Sequence, residues 1–125
     1  MLKIGLLSGS IFASLSIIFG AFGAHALKDQ LSEYSLSVYE KAVLYQMFHS
    51  LGILLLTAIG KNMDTLDFSY SIWCFIIGII LFSGSLYILA VTNIKWIGMI
   101  TPIGGMLFIV GWFLGERLAW TSQVP

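Results

Sequence analysis

Charge is the scarcest property of this chain. Charged residues make up 10% of its 125 positions and hydrophobic residues 58%. Soluble domains carry about 25% charged and roughly 45–50% apolar residues. A soluble fold of this size would have too few charges to cover so much apolar surface. The six basic and six acidic residues cancel, and no Lys/Arg run occurs. Nucleic-acid binding therefore lacks an electrostatic basis. Cysteine is nearly absent as well. Cys74 stands alone, which excludes an intrachain disulfide. Between Trp73 and Phe75 it reads as a small hydrophobe, buried or facing lipid. A Ser/His/Asp set, HExxH, CxxC and a phosphate-binding loop are all missing, so no catalytic signature is present and no cofactor is expected. No linker, repeat or low-complexity segment divides the chain, which reads as one domain over residues 1–120 with a short tail at 121–125.

What the chain does have is four long apolar runs, at about 4–27, 42–60, 70–92 and 96–118. A helix needs about 20 mostly apolar residues to cross the hydrocarbon core. It also satisfies its own backbone polar groups, as lipid demands. The strand alternation of a membrane barrel is absent. The sequence thus predicts an all-α integral membrane protein, a four-helix transmembrane bundle in the lipid bilayer. The first run ends in GAFGAHAL at 20–27, where Ala24-His25-Ala26 imitates a signal-peptide cleavage site. A signal peptide has an apolar region of about 7–15 residues. This run is longer and three more spans follow, which favours a retained first helix.

The connections differ in character. Along the charged stretch 28–41 and the residue before it, Leu27, Leu31, Tyr34 and Val38 recur at helical spacing. Two readings stay open there, a short interfacial amphipathic helix or a polar loop. Ser37 with Glu40 matches a capping box, making Ser37 the expected N-cap of the second span. Asn93-Ile94-Lys95 is so short that the third and fourth helices must form a hairpin. Lys3, Lys61 and Arg117 fall on the side of the termini and Lys28, Lys41 and Lys95 on the other, three against three, so charge assigns no orientation.

Small residues line the runs. Gly5, Gly9 and Ala13 are four apart, as are Ser16, Gly20 and Ala24, and Gly111 and Gly115. Gly84 lies between Ser83 and Ser85. Small residues let membrane helices approach closely, which suits either packing within the bundle or self-association. Thr101-Pro102-Ile103-Gly104-Gly105 predicts a kink in the fourth helix. The carbonyls freed near Gly98 would receive a hydroxyl of Ser83, Ser85 or Thr101, or a ligand. His25 sits at the exit of the first run, and His49 lies about two turns inside the second, sharing a face with Gln46. Ionisable groups in spans usually face the protein interior. Three readings compete: interhelical hydrogen bonding among His25, Tyr45, Gln46 and His49; a lipid- or quinone-type polar pocket; and a metal or haem site using both histidines. Metal sites usually need three or four ligands, and Tyr39, Glu40 and Cys74 add no spacing signature. Glu116-Arg117 reads as an interfacial pair, and Trp73, Trp96, Trp112 and Trp120 as aromatic belts.

Four motifs in order are more specific: GAFGAHALK at 20–28, YQMFHSLG at 45–52, LFSGSLYILAVT at 81–92 and TPIGGMLFIVGW at 101–112. Over about residues 1–117 the chain resembles a domain-of-unknown-function family that includes the bacterial membrane proteins YgdD and YwdK and vertebrate transmembrane protein 256. His25, Gln46, His49, Ser83, Gly84, Ser85, Tyr87, Thr101, Pro102, Gly104 and Gly105 carry the resemblance, and among them His25, Gln46, His49, Ser83, Ser85, Tyr87 and Thr101 are the candidate polar interhelical or ligand-binding cluster. It implies a multi-pass protein, in bacteria of the cytoplasmic membrane, with its first helix retained. It implies no activity. Three function classes follow from the sequence. The first is a non-enzymatic accessory, assembly or membrane-organising subunit with a protein partner or as a homo-oligomer. The second is a small oligomeric transporter or channel. The third is a lipid-, quinone- or haem-binding protein using His25 and His49.

Overall fold

The computed structural model describes residues 1–122. Helix α1 spans Leu2–Phe22 and runs on into a π-helical turn, Gly23–Leu27. Helix α2 spans Glu33–Asn62, α3 Ser69–Thr92 and α4 Thr101–Thr121, with a 3-10 turn at Lys95–Met99 before α4. Among the described residues there is no strand. Leu2–Leu27, Glu33–Asn62, Ser69–Thr92 and Lys95–Thr121 are each long and apolar enough to cross a membrane. The chain is a multi-pass membrane protein. Of the expected tail, Thr121 closes α4, while 123–125 lie outside the described residues.

Helix α2 begins earlier than its apolar run. Ser32 is the N-cap, accepting a hydrogen bond from the Ser35 N–H at 3.1 Å. No glycine or proline separates Glu33 from Ala42, so the helix propagates through the charged stretch. Residues 33–41 are therefore the first turns of α2, neither a separate interfacial helix nor a loop. Ser37, expected to cap, lies inside the helix and donates back to the Tyr34 carbonyl at 3.0 Å. At 1.5 Å per residue α2 is roughly 45 Å long, longer than the ~30 Å hydrocarbon core. Its charged first turns lie toward the interface.

Proline also sits differently from the expectation. Pro102 falls in the first turn of α4 and produces no kink within it. The first turn has no use for the missing N–H, so proline is accommodated there. The break in the helical backbone falls before the 3-10 turn, at Asn93 and the extended Ile94. Between α3 and α4, Asn93 adopts the left-handed conformation (φ 56°) and its N–H caps the Leu89 carbonyl at 2.9 Å. Asparagine tolerates this geometry better than most residues. The Asn93 side chain also accepts from Ser35 Oγ at 3.2 Å, tying the hairpin to the start of α2.

Helix α1 packs on α2, α2 on α3 and α3 on α4. The inner pair is α2 and α3. The outer helices dock through small side chains and one phenylalanine: α1 buries Gly5, Gly9 and Ser16, and α4 buries Gly104, Phe108 and Gly111. A Cβ on Gly104 would collide with the backbone of Phe82, and one on Gly5 with the Thr57 hydroxyl. Gly84 faces open space, and Cβ atoms on Gly105 and Gly115 would make ordinary contacts at 3.7 and 3.9 Å. These three are not needed for close approach, against the sequence expectation. Two apolar clusters fill the core. One centres on Ile53, Ile72, Phe75 and Ile79, the other on Val38, Tyr39, Ala42 and Ala90. Along α2 the first occupies 53–56 and the second 38–42. The interval between them, at the middle of the membrane, is polar.

Candidate functional site

That interval holds Gln46, His49 and Ser50 on α2 and Ser83 on α3, all buried. Lipid offers them no water, so each polar group must find a partner inside the protein. Gln46 Nε2 donates to the Phe12 carbonyl of α1 at 2.8 Å, and its Oε1 accepts from the Tyr87 hydroxyl of α3 at 2.8 Å. One amide thus joins three helices. Ser83 donates to the Ala42 carbonyl at 2.7 Å, and Tyr39 to the Phe19 carbonyl at 2.6 Å. Phe19 and Tyr39 both set their rings edge-on to Tyr87, with centroids 5.1 and 5.2 Å away. Ser85 donates to the Phe82 carbonyl at 2.9 Å, so in its 2.6 Å contact with Thr101 the threonine hydroxyl is the donor. Ser83 and Ser85 are thus engaged away from Gly98. Among the described residues, Ser71 Oγ is the one buried side-chain polar atom without a partner.

His49 links α2 to α4. Its Nδ1 lies 2.8 Å from the Tyr45 carbonyl, and its Nε2 lies 3.1 Å from Trp112 Nε1. A carbonyl only accepts and an indole N–H only donates. The proton therefore resides on Nδ1, and Nε2 receives the indole. Phe108 stacks flat on the ring at 3.5 Å with an interplanar angle of 7°. Both ring nitrogens are engaged, so metal ligation would first have to break one of these two hydrogen bonds. Tyr45 contributes its carbonyl to this site, while its ring lies over Phe82 at 4.6 Å.

His25 does not join this site. It lies exposed on the π-helical turn. Gln46 pairs with Phe12, and His25 is thirteen residues further along (25 − 12), roughly 20 Å by helical rise. A haem or metal held jointly by His25 and His49 has no support in this geometry. Among the described residues, no three His, Cys, Asp or Glu side chains gather at one point. Nor is His49 near an interface, since it stands sixteen residues into α2, between the two apolar clusters.

Trp112 is the residue that the belt reading misplaces. Its position eleven residues into α4 already puts it at mid-membrane, opposite His49. Helices α2 and α4 meet where His49 touches Phe108 and Trp112, and a groove of about 800 Å³ lies between them with Phe82 of α3 at its back. Tyr45, Phe48, Phe108 and Trp112 give it aromatic walls, and Gly105 leaves room. Glu116 and Arg117 are exposed near the end of α4.

The comparisons with known proteins agree with this architecture. The family model described as "Protein of unknown function (DUF423)" matches residues 19–105. The chain belongs to the DUF423 family. The UPF0382 membrane protein of Staphylococcus haemolyticus is 44% identical over 113 residues, covering 90% of this chain and 92% of that protein. A relative from Staphylococcus saprophyticus is 48% identical over 113 residues, with 90% and 93% covered. YwdK of Bacillus subtilis is 39% identical over 114 residues, again 90% and 93%. No solved structure matches the chain. This DUF423 protein is therefore a multi-pass cell-membrane protein of a bacterial type, in a family whose function is unknown.

Proposed function

We propose that this DUF423 protein is a non-enzymatic accessory, assembly or membrane-organising subunit. The supporting observation is where the polar side chains go. Gln46, His49, Ser83, Ser85, Tyr87 and Thr101 direct their hydrogen bonds into contacts within the bundle. None presents an unengaged nucleophile or base beside a substrate-sized polar space. The outward faces are instead broad and apolar. Ile11, Ile17, Ile18 and Phe22 on α1 and Ile109 and Phe113 on α4 are exposed. A surface of this kind is available to lipid or to a partner's transmembrane helices. The transport reading takes its motive from a kinked fourth helix and the midspan Ser83-Gly84-Ser85; Pro102 opens α4, and Ser83 and Ser85 donate to the Ala42 and Phe82 carbonyls, which favours the subunit reading.

Native mass spectrometry after gentle extraction from the protein's own membrane tests the proposal. A defined complex with another membrane protein, or a fixed homo-oligomer, is expected. A bare monomer, with nothing crosslinked to it in intact cells, would sink it.

A further inference from the structure

The groove between α2 and α4 continues toward the membrane surface. A second space of about 940 Å³ adjoins the 800 Å³ aromatic groove, and Phe82 and Pro102 line both. The two halves differ in chemistry. The outer half is walled by Lys41 and Lys95, with Ser37, Asn93 and Thr101 nearby, and no aspartate or glutamate lines it. Glu40, the neighbour of Lys41, lines a different space between α1 and α2. The deep half carries no formal charge and is closed by the His49–Trp112 hydrogen bond. From Tyr34 to His49 the groove follows fifteen residues of α2 (49 − 34), roughly 22 Å by helical rise. Half a hydrocarbon core is about 15 Å, and the headgroup region adds the remainder. The groove is one leaflet long, cationic at its outer end and aromatic at its deep end.

We propose that this groove binds one anionic phospholipid of the surrounding bilayer. Lys41 and Lys95 hold the headgroup phosphate. One acyl chain lies between Phe48 and Ile109 and ends against Trp112. The polarity gradient favours this occupant over a partner's helix, whose apolar flank would leave both ammonium groups without a counter-charge. Gly105 keeps the wall low where the chain passes. The proposal deepens the membrane-organising reading and rests on it for the choice of the outer face as the working surface.

The test uses the fluorescence of Trp112 in the full chain, with Trp73, Trp96 and Trp120 each changed to Phe. The protein is reconstituted in phosphatidylcholine vesicles. These contain rising fractions of either phosphatidylglycerol or phosphatidylcholine brominated near the chain terminus. We expect brominated phosphatidylglycerol to quench Trp112 at a several-fold lower mole fraction than brominated phosphatidylcholine. K41Q/K95Q should abolish that difference and leave quenching by phosphatidylcholine unchanged. Equal quenching curves for the two lipids, or a preference indifferent to K41Q/K95Q, would overturn the proposal. So would the absence of quenching by either lipid, which would mean that protein fills the groove. If the triple-Phe chain fails to fold, native mass spectrometry of the unaltered chain from mixed vesicles decides. One retained phosphatidylglycerol, lost in K41Q/K95Q, is the expected result; no preferential retention overturns it. A partner protein found without bound lipid would defeat this proposal alone, while bound phosphatidylglycerol on a solitary monomer would defeat the subunit reading alone.

Discussion

At the scale of single residues, partner chemistry decides what each polar group does. His49 could in principle carry either tautomer, but a carbonyl on one nitrogen and an indole on the other leave a single arrangement. Trp112→Phe removes the donor and leaves Nε2 buried without a partner. Hydrogen bonds in membrane proteins average about 0.6 kcal/mol, reaching about 1.7. Trp112→Phe should cost within that range in unfolding measured in detergent. His49→Ala should cost at least as much, because stacking on Phe108 goes too. A Trp112→Phe variant as stable as the parent would argue that the indole bond is not formed. Outside the membrane, Ser69 governs Asp67. Its hydroxyl and its backbone N–H both bond the carboxylate and hold Asp67 below the usual carboxylate range. The charged form is the bonded form, so the stabilisation is present above the unfolded pKa and lost as pH falls through the lowered one. Ser69→Ala should move the Asp67 titration upward in carbon-detected NMR and flatten the acid limb of the stability profile. An unmoved titration would contradict the assignment.

At the scale of elements, the four spans were legible because length and hydropathy suffice to mark a membrane helix. Their ends were not. Ser37 with Glu40 and Ser32 with Ser35 are both plausible starts by residue type, and only the continuity of helix through Val38 and Tyr39, whose side chains are buried, selects Ser32. The TPIGG motif stands out in the sequence, yet a proline inside an apolar run looks alike whether it kinks a helix or opens one. The two cases separate energetically. Proline in a helix interior costs about 3 kcal/mol, whereas in the first turn its missing N–H is not needed. Pro102→Ala should therefore change stability by well under 1 kcal/mol in denaturant titration. A gain near 3 kcal/mol would restore the kinked-helix reading. The same motif holds the glycine that lies nearest to another helix's backbone. Gly104→Ala places a methyl against the Phe82 backbone, which cannot rotate away. Overpacking of this kind costs about 1–3 kcal/mol. Gly84→Ala, facing open space, should be neutral or stabilising by up to about 1 kcal/mol from helix propensity. Thermal unfolding of the pair in one detergent separates them, and equal melting temperatures would refute the packing assignment.

At the scale of the whole molecule, the polar interval explains why the helices choose one register. Lipid tails are as apolar as leucine, so burial alone hardly distinguishes one helix pairing from another. The apolar contacts on either side make no directional bond that a shift of one helical turn would break. Gln46 does, and a shift breaks its bonds to Phe12 of α1 and Tyr87 of α3 together. Gln46 was legible in the sequence as a polar residue sharing a face with His49. Tyr87 stands in the same candidate cluster by motif position, forty-one residues away, whereas the Phe12 carbonyl was not legible, because a backbone acceptor carries no signal of its own in the sequence. The exit of α1 and the entry of α2 share one membrane side, which suggests His25 as a member of the cluster, and the antiparallel pairing of α1 with α2 removes it. A double-mutant cycle exposes this role. Gln46→Met removes both side-chain bonds and strands the Tyr87 hydroxyl in a dry interior, whereas Tyr87→Phe strands only Oε1 of Gln46. Removing one partner costs more than removing both. The double variant should therefore be less destabilised than the sum of the singles, with a coupling of about 0.6–1.7 kcal/mol. Strict additivity would mean that the Gln46–Tyr87 bond contributes nothing to the fold, and the register would then rest on the glycine contacts of α1 and α4 alone.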